Sequence, residues 1–389
     1  MNILYVVSRP IEINTSASIR NCATINGLLD IGHEVTVVTA EPDKHHSSYD
    51  STLKLDSKAK RIFVKIGGTE SLARIGRRIW FPKFVKNYLY RLRKQTEVYD
   101  NFKEIINHTK EVKKHGTYDV VISSSDPKSS HLFIYKYLNE LHLKNKPMWI
   151  QIWGDPFSND VSNIGYKKQK LIYEEENKLL SKADRIIYVS QLTLTEQKKL
   201  FPLYSKKMYY VPIPYIEKKL SVNKDLLGQH TINLAYCGDY SSSYRNIQPL
   251  YEALKASHNF HLKICGNGDI QLQDTDSIEI LGRQTHSVID QLEKETDILI
   301  HLSNRLGGQI PGKIYHYSAT NKPILFILDG ESNSLYKAFA KYKRFVFCEN
   351  NARDILEKLN YICKNNVCYM PIDDFDRKNI AKLLTHLMY

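Results

Sequence analysis

At 389 residues, with 42% hydrophobic and 25% charged side chains, the chain has the composition of a folded protein large enough for two α/β domains. This composition excludes extended disorder, and no apolar run reaches the ~20 residues that a membrane-spanning helix needs. A formal net charge of +13 points to one of three partners: nucleic acid, an anionic membrane surface or a phosphorylated substrate. The six cysteines are scattered without a CxxC pair, which reads as reduced thiols with neither disulfides nor structural zinc.

In chain order, residues 3–7 form a short apolar run that reads as a first buried strand rather than a signal peptide. A polar loop and a helix over about 19–29 lead to a second strand at 34–39. Further strands are expected at 61–66, 118–123, 147–152 and 183–190, spaced by helices. That alternation predicts a doubly wound parallel sheet with ligands at the carboxyl ends of its strands. The pattern breaks near 209–215, where prolines close a short strand and a polar stretch follows. It restarts with strands at 232–237, 262–265, 278–281, 298–302, 323–328 and 345–347, and helices near 352–364 and 376–386. The expected domains are therefore 1–212 and 213–372, with a helix in 373–389 packing back near the first.

Three stretches in the second half carry chemistry. In Tyr236-Cys237-Gly238-Asp239-Tyr240, Gly238 at a strand end lets a ligand approach the backbone, and Arg245 precedes the next helix, where a cation meets a phosphate. The alternative is a serine-rich turn with a solvated arginine. Gly266-Asn267-Gly268 reads as a tight turn with exposed backbone N–H groups, a weak signal alone. In the third, Gly307-Gly308-Gln309-Ile310-Pro311-Gly312-Lys313, the glycines expose donors, Pro311 suits a first helical turn, and Lys313 points the helix N-terminus at an anion.

Together these stretches resemble the GT-B glycosyltransferases, particularly the retaining group that includes family 4. The segment Gly32-His33-Glu34-Val35-Thr36-Val37-Val38-Thr39 looks like that group's GHEVTVVT strand. SSSDPKSSHL at 123–132, followed by the Trp149 to Phe157 stretch, is similar to a subset with TSPPxSxHL and WxxDxRDPW. ADRIIYVS at 183–190 matches ADxIIxVS, and PGKIYHYSATNKP at 311–323 looks like PxKxxEYxAxGKP. The resemblance implies a GT-B architecture, two Rossmann-like doubly wound domains facing a central cleft, with the nucleotide sugar on the second. Donor-binding residues would be Gly238, Arg245, Gly266, Asn267, Gly307, Gly308, Gln309, Ile310, Lys313 and His316.

The sequence also departs from the group. Asp239 stands where an arginine usually follows the first glycine, and the two glutamates of the pattern fall on Gly308 and His316. The second glutamate normally holds the ribose; His316 can hydrogen-bond a hydroxyl through a ring nitrogen, or simply pack on its helix. The glycine-rich front loop is altered to residues 13–20, leaving Ser16 and Arg20 as acceptor-side candidates. Asp155 falls on the Asp of the RDPW-like piece and either orients an acceptor hydroxyl and takes its proton or caps a turn with Pro156.

Residues 73–96 hold eight Lys or Arg and no acidic residue, interleaved with Ile75, Ile79, Trp80, Phe81, Phe84 and Tyr88. This composition fits an interfacial segment on anionic lipid better than a nucleic-acid site, the alternative being a solvated basic face. The expected function is retaining transfer of a sugar from a nucleotide diphosphate sugar to a glycan or lipid-linked glycan, in the cytoplasm on the inner face of the membrane. Catalysis is assigned to Asp155, Arg245 and Lys313, with no metal and no cofactor beyond the nucleotide sugar as substrate. The alternatives are a nucleotide-sugar epimerase of the same architecture and a non-catalytic nucleotide-sugar-binding relative.

Overall fold

A computed structural model describes residues 1–67, 97–141, 146–160, 168–222, 224–306, 308–330, 332–365 and 367–389. The basic segment 73–96 and Gly307 lie outside the described residues. The chain divides into two compact units, one of 1–212 with 377–389, the other of 213–376.

The first unit is a seven-stranded parallel sheet. Its strands are β1 (Asn2–Val6), β2 (Glu34–Ala40), β3 (Lys60–Val64), β4 (Val120–Ser124), β5 (Met148–Trp153), β6 (Arg185–Tyr188) and β7 (Met208–Tyr210), in the order β3-β2-β1-β4-β5-β6-β7. Helices cover both faces, so the central strands are near-continuous apolar runs: Ile3, Leu4, Tyr5 and Val6 are fully buried. The first helix, Ser16–Asp30, starts three residues earlier than the sequence suggested, because Thr15 caps it by accepting the Ser18 N–H at 3.2 Å. Its Gly27 is required by packing: a Cβ there would lie 2.3 Å from the Arg377 carbonyl oxygen. The helix Arg377–His386 is thereby seated on the first, pinned by Arg377 Nε to Asp30 at 2.7 Å and a His33–Thr385 hydrogen bond of 2.9 Å.

The second unit is a six-stranded parallel sheet of β8 (Ile232–Cys237), β9 (Phe260–Cys265), β10 (Ile278–Ile280), β11 (Ile298–Leu302), β12 (Ile324–Leu328) and β13 (Val346–Glu349), ordered β10-β9-β8-β11-β12-β13. One face buries Leu234, Ile264, Ile300, Leu325 and Ile327. On the other, Phe326, Phe339, Phe345 and Phe347 pack edge-to-face or tilted. Each sheet thus has one switch point, where chain order reverses: between β1 and β4 in the first unit and between β8 and β11 in the second. Loops leaving neighbouring strands there diverge to opposite faces and open a crevice at the carboxyl ends. Among the described residues no helix is long and apolar enough to cross a membrane.

Candidate functional site

Both switch points carry a concentration of polar side chains, with opposite chemistry. In the second unit the sequence crosses from Cys237 into Gly238, whose N–H donates to the Cys265 carbonyl at 2.8 Å. A Cβ on Gly266 would fall 2.0 Å from the Gly238 carbonyl oxygen, so the two loops touch through backbone and only glycine fits. Ser241 and Arg245 then exchange backbone hydrogen bonds of 2.9 and 3.1 Å. That closed turn carries the guanidinium back over the strand ends. Arg245 Nε and Nη2 donate to Asn304 Oδ1 at 2.9 and 2.7 Å, and Nη1 donates to the Asp239 carbonyl at 2.9 Å. Asn304 in turn donates to the Gln309 carbonyl at 3.0 Å, which joins the loop after β8 to the glycine loop after β11.

The structure alters three sequence expectations here. Asn267 does not offer a free amide: its N–H donates to Asp239 Oδ1 at 3.0 Å, and Asp239 also pairs with Arg283. The helix carrying Lys313 is a single turn, Lys313–Tyr317, so its dipole is slight. Lys313 itself is not a free cation. Its Nζ lies 2.8 Å from Glu293 Oε1, whose side chain is 3% exposed, while Lys219 sits 3.3 Å from Oε2. The two lysines outweigh the cost of burial and hold the Glu293 carboxyl below its ordinary range.

His316 follows one turn from Lys313 and is half-buried, with no hydrogen-bond partner for Nε2 among the described residues. Burial, with Lys313 beside it, pulls its pKa down to about 3, so the imidazole is neutral. His301 on β11, missed by sequence reasoning, is 2% exposed and likewise has an unpartnered Nε2; burial and Arg245 lower its pKa to about 3. Gly308 is buried, and Gln309 and Ile310 are half-buried beside Asn304. Asp274, the first carboxylate of an Asp274-Thr275-Asp276 run, is exposed and accepts the Ile280 N–H at 2.7 Å. Among the described residues no group of His, Cys, Asp and Glu is spaced to hold a metal. A cavity of about 340 Å³ opens at the opposite, amino ends of β11 and β12. Two of its three lysines are engaged: Lys224 with Asp297 at 2.9 Å and Lys322 with two backbone carbonyls.

In the first unit the switch point gathers hydroxyls and carboxylates. Ser8 and Ser130 bond across from the loop after β1 to the helix Ser129–Asn139, and Asn21 accepts from both Tyr5 (2.8 Å) and Ser124 (2.6 Å). Arg20, 5% exposed, donates to the Ser125 carbonyl and to Ser124 Oγ, and its Nε has no partner among the described residues. The loop after β5 lies directly on it, since a Cβ on Gly154 would sit 2.2 Å from Arg20 Nη1. Asp155 follows, in a loop fixed by Glu176, which accepts the N–H groups of Phe157 (3.1 Å) and Ser158 (2.7 Å). Burial, then the neighbouring Asp126, raises the Asp155 pKa to about 7. Arg20 thus packs against Gly154 in the loop that carries Asp155, while Ser16 is exposed at the start of its helix. The two neighbours missed were Asp126 and Lys128. The visible signal was Asp126 itself, a carboxylate in place of the first proline of the resembled TSPP.

No family model matches the chain, and no curated protein matches it in sequence. Solved structures do. Sucrose-phosphate synthase from Thermosynechococcus elongatus superposes with a TM-score of 0.61 at 12% identity, covering 99% of this chain and 98% of that one. HepE from Anabaena in complex with UDP-glucose gives 0.58 at 10% over 99% and 98%. The lipopolysaccharide outer core galactosyltransferase WaaB gives 0.55 at 13% over 100% and 99%. The fold is GT-B. At such identities the likeness concerns the fold, and the chemistry has to come from the strand-end residues.

Proposed function

We propose that the chain is a glycosyltransferase that binds a nucleotide diphosphate sugar on its second unit and passes the sugar to a hydroxyl acceptor engaged by the first. The observation that carries this is the Arg245–Asn304 clamp at the β8–β11 switch point. A guanidinium fixed there by a neutral amide and a carbonyl keeps its full charge for a diphosphate. His316 Nε2, unpartnered and neutral, supplies a hydrogen-bonding atom for a nucleoside hydroxyl. The complexes of HepE with UDP and with UDP-glucose support the same class of donor.

In this reading the bond from the anomeric carbon to the diphosphate breaks and its electron pair leaves on the diphosphate, where Arg245 meets the growing charge. Lys313 contributes more weakly, its charge being shared with Glu293. The acceptor oxygen bonds to the anomeric carbon and gives its proton to Asp155. Transfer with retention follows the resembled group, and the charge and aromatic content of 73–96 support a lipid-linked acceptor at an anionic membrane. Thermal stabilisation across a panel of nucleotide sugars tests the donor site, because a ligand bound only by the native state raises its apparent stability. Stabilisation by none of them rejects the proposal. A nucleotide-sugar epimerase is the second reading, favoured by the carboxyl pair around Asp155. Nucleotide release that depends on added acceptor excludes it.

A further inference from the structure

The cavity at the amino ends of β11 and β12 lies at the far end of the second sheet from Arg245, separated from it by the five residues of β11, roughly 15 Å of strand. Its walls are tied together by their own hydrogen bonds. Asn321, in the turn before β12, donates to the Ser221 carbonyl at 2.7 Å and accepts the Ser221 N–H at 3.0 Å. Lys224 pairs with Asp297 at 2.9 Å, and Asp297 also accepts the Asn233 N–H at 2.9 Å. Leu226, Pro323, Ile362, Val367 and the Tyr369 ring supply an apolar lining. A volume of about 340 Å³ is enough for a small molecule.

The charges around this cavity do not balance. Asp297 is its one acidic lining residue among the described residues, and Lys224 takes it up. Lys322 donates only to backbone, to the carbonyls of Lys294 at 2.6 Å and of Thr296. Those bonds cap the helix His286–Glu295, an ordinary task for a lysine, but they use two of its three N–H groups and bring no negative charge. Lys294 is exposed and has no partner among the described residues. Against the ring of Tyr369, with its guanidinium carbon 4.9 Å from the centroid, lies Arg344, 3% exposed. Its Nη2 donates to the carbonyls of Thr320 (2.8 Å) and Lys322 (2.7 Å), while Nε and Nη1 have no partner among the described residues. Burial lowers the Lys322 pKa and takes that of Arg344 down to about 10, as befits cations removed from water without a carboxylate to offset the cost.

We propose that this cavity is a binding site for a small phosphate monoester, its dianion held by Lys322 and Lys294 and its apolar body laid against Leu226, Ile362 and Val367. With Lys224 offset by Asp297, two lysine charges remain at the cavity, and Arg344 adds a third through the wall formed by Tyr369. A phosphate monoester carries about −1.5 to −2 charges at neutral pH, whereas a carboxylate carries one. The remaining N–H of Lys322 and the Tyr369 hydroxyl, which has no hydrogen-bond partner among the described residues, are donors for its oxygens. The site stands apart from the transferase reading, because it uses none of the residues assigned to the donor or the acceptor.

Isothermal titration of the full chain with phenyl phosphate, inorganic phosphate and phenol tests it. Phenyl phosphate should bind saturably at one site, inorganic phosphate more weakly for want of an apolar body, and phenol not measurably. Lys294→Glu should weaken phenyl phosphate binding by on the order of 10-fold. That side chain is exposed and unpaired, so its variant reads the site even where Lys322→Met, expected to abolish binding, loses the helix cap and fails to fold. Arg245→Ala should leave the affinity for phenyl phosphate unchanged. No saturable binding at millimolar concentrations, or equal affinity in Lys294→Glu and wild type, overturns the site. Binding lost in Arg245→Ala puts the phosphate at the donor clamp and overturns it likewise. Phenol or inorganic phosphate binding as tightly as phenyl phosphate overturns the proposed ligand. If no nucleotide sugar stabilises the chain while phenyl phosphate behaves as expected, the transferase reading falls and this site stands.

Discussion

The two switch points have the same architecture and opposite chemistry. Between β1 and β4 the crevice holds Asp126, Asp155, Lys128 and Arg20 among serines, and its central carboxyl is raised towards neutrality. Between β8 and β11 it holds Arg245, a lysine neutralised by Glu293, and two histidines held neutral. In the proposed reaction one end takes a proton from a hydroxyl and the other receives an anion. A doubly wound sheet fixes where the ligands lie, and the loop residues fix what happens to them. Substitutions at one end should leave the other unaltered.

The largest effect is expected at Asp155. Asp155→Asn keeps the shape and removes the base, so transfer should fall by roughly 10²-fold or more with donor affinity unchanged. The same change should alter stability with a definite sign. The folded pKa of about 7 lies above the ordinary carboxylate value, so the group's contribution is fully present below that ordinary value and is lost as pH rises through about 7. Above neutrality the wild type carries a half-buried charge that the variant lacks. Calorimetric melting should therefore place Asp155→Asn above wild type in alkaline buffer, with the gap closing as pH falls below about 7.

Arg245 comes next, at the other end. Arg245→Ala should weaken donor binding by on the order of 10- to 100-fold, about 1.5–3 kcal/mol for a charge-assisted hydrogen bond, and leave the titration of Asp155 untouched. Isothermal titration with the stabilising nucleotide sugar measures it. Asn304→Ala should lose less, since it frees the guanidinium without removing it. Equal donor affinity in Arg245→Ala and wild type would move the donor site elsewhere.

Lys313 was expected to act on the donor alone, and the structure shows it is also structural. Removing it leaves Glu293, 3% exposed, with Lys219 as the remaining cation at 3.3 Å. Breaking a buried pair costs about 3–5 kcal/mol when the partner is abandoned; with a second lysine present, Lys313→Ala should cost about 1–3 kcal/mol. Urea unfolding reads this directly, and Lys313→Met combined with Glu293→Gln should recover part of it. Glu293 is depressed, so its contribution is present above the ordinary carboxylate range and fades as pH falls through its folded value.

Much of this was legible beforehand. The alternation of apolar runs and helical segments placed the thirteen strands of the described residues within a few residues, most plainly the central ones, whose two buried faces read as uninterrupted hydrophobic stretches. Gly238, Arg245 and Asp155 were singled out because each lies in a loop that leaves a strand's carboxyl end, the side on which doubly wound sheets bind ligands. Partners were harder. Glu293 and Lys219 are 74 residues apart, and nothing in either segment announces a pair. Asn267 looked like an open amide because Asp239, 28 residues before it, closes it only in three dimensions. Asp126 lay in a stretch already singled out, yet its meaning depends on a second loop arriving beside it.

The smallest effect is expected at His316, and it is the one that tests how the second unit manages without a glutamate there. The ring sits one turn beyond Lys313, and its buried Nε2 has no partner among the described residues. A buried nitrogen without a partner costs free energy unless a ligand supplies one. In the proposed complex that ligand is a nucleoside hydroxyl, bound equally before and during transfer. His316→Ala should then raise the donor KM roughly 3- to 10-fold with little change in kcat, the signature of lost uniform binding. Its pH dependence is the sharper measurement. With the pKa pulled down to about 3, the imidazole does not charge between about pH 5 and 8. The ratio of mutant to wild-type donor KM should accordingly stay flat over that range. A ratio that changes through about pH 6.5, the ordinary histidine value, would mean an exposed, titrating ring, and the nucleoside contact would have to come from another residue.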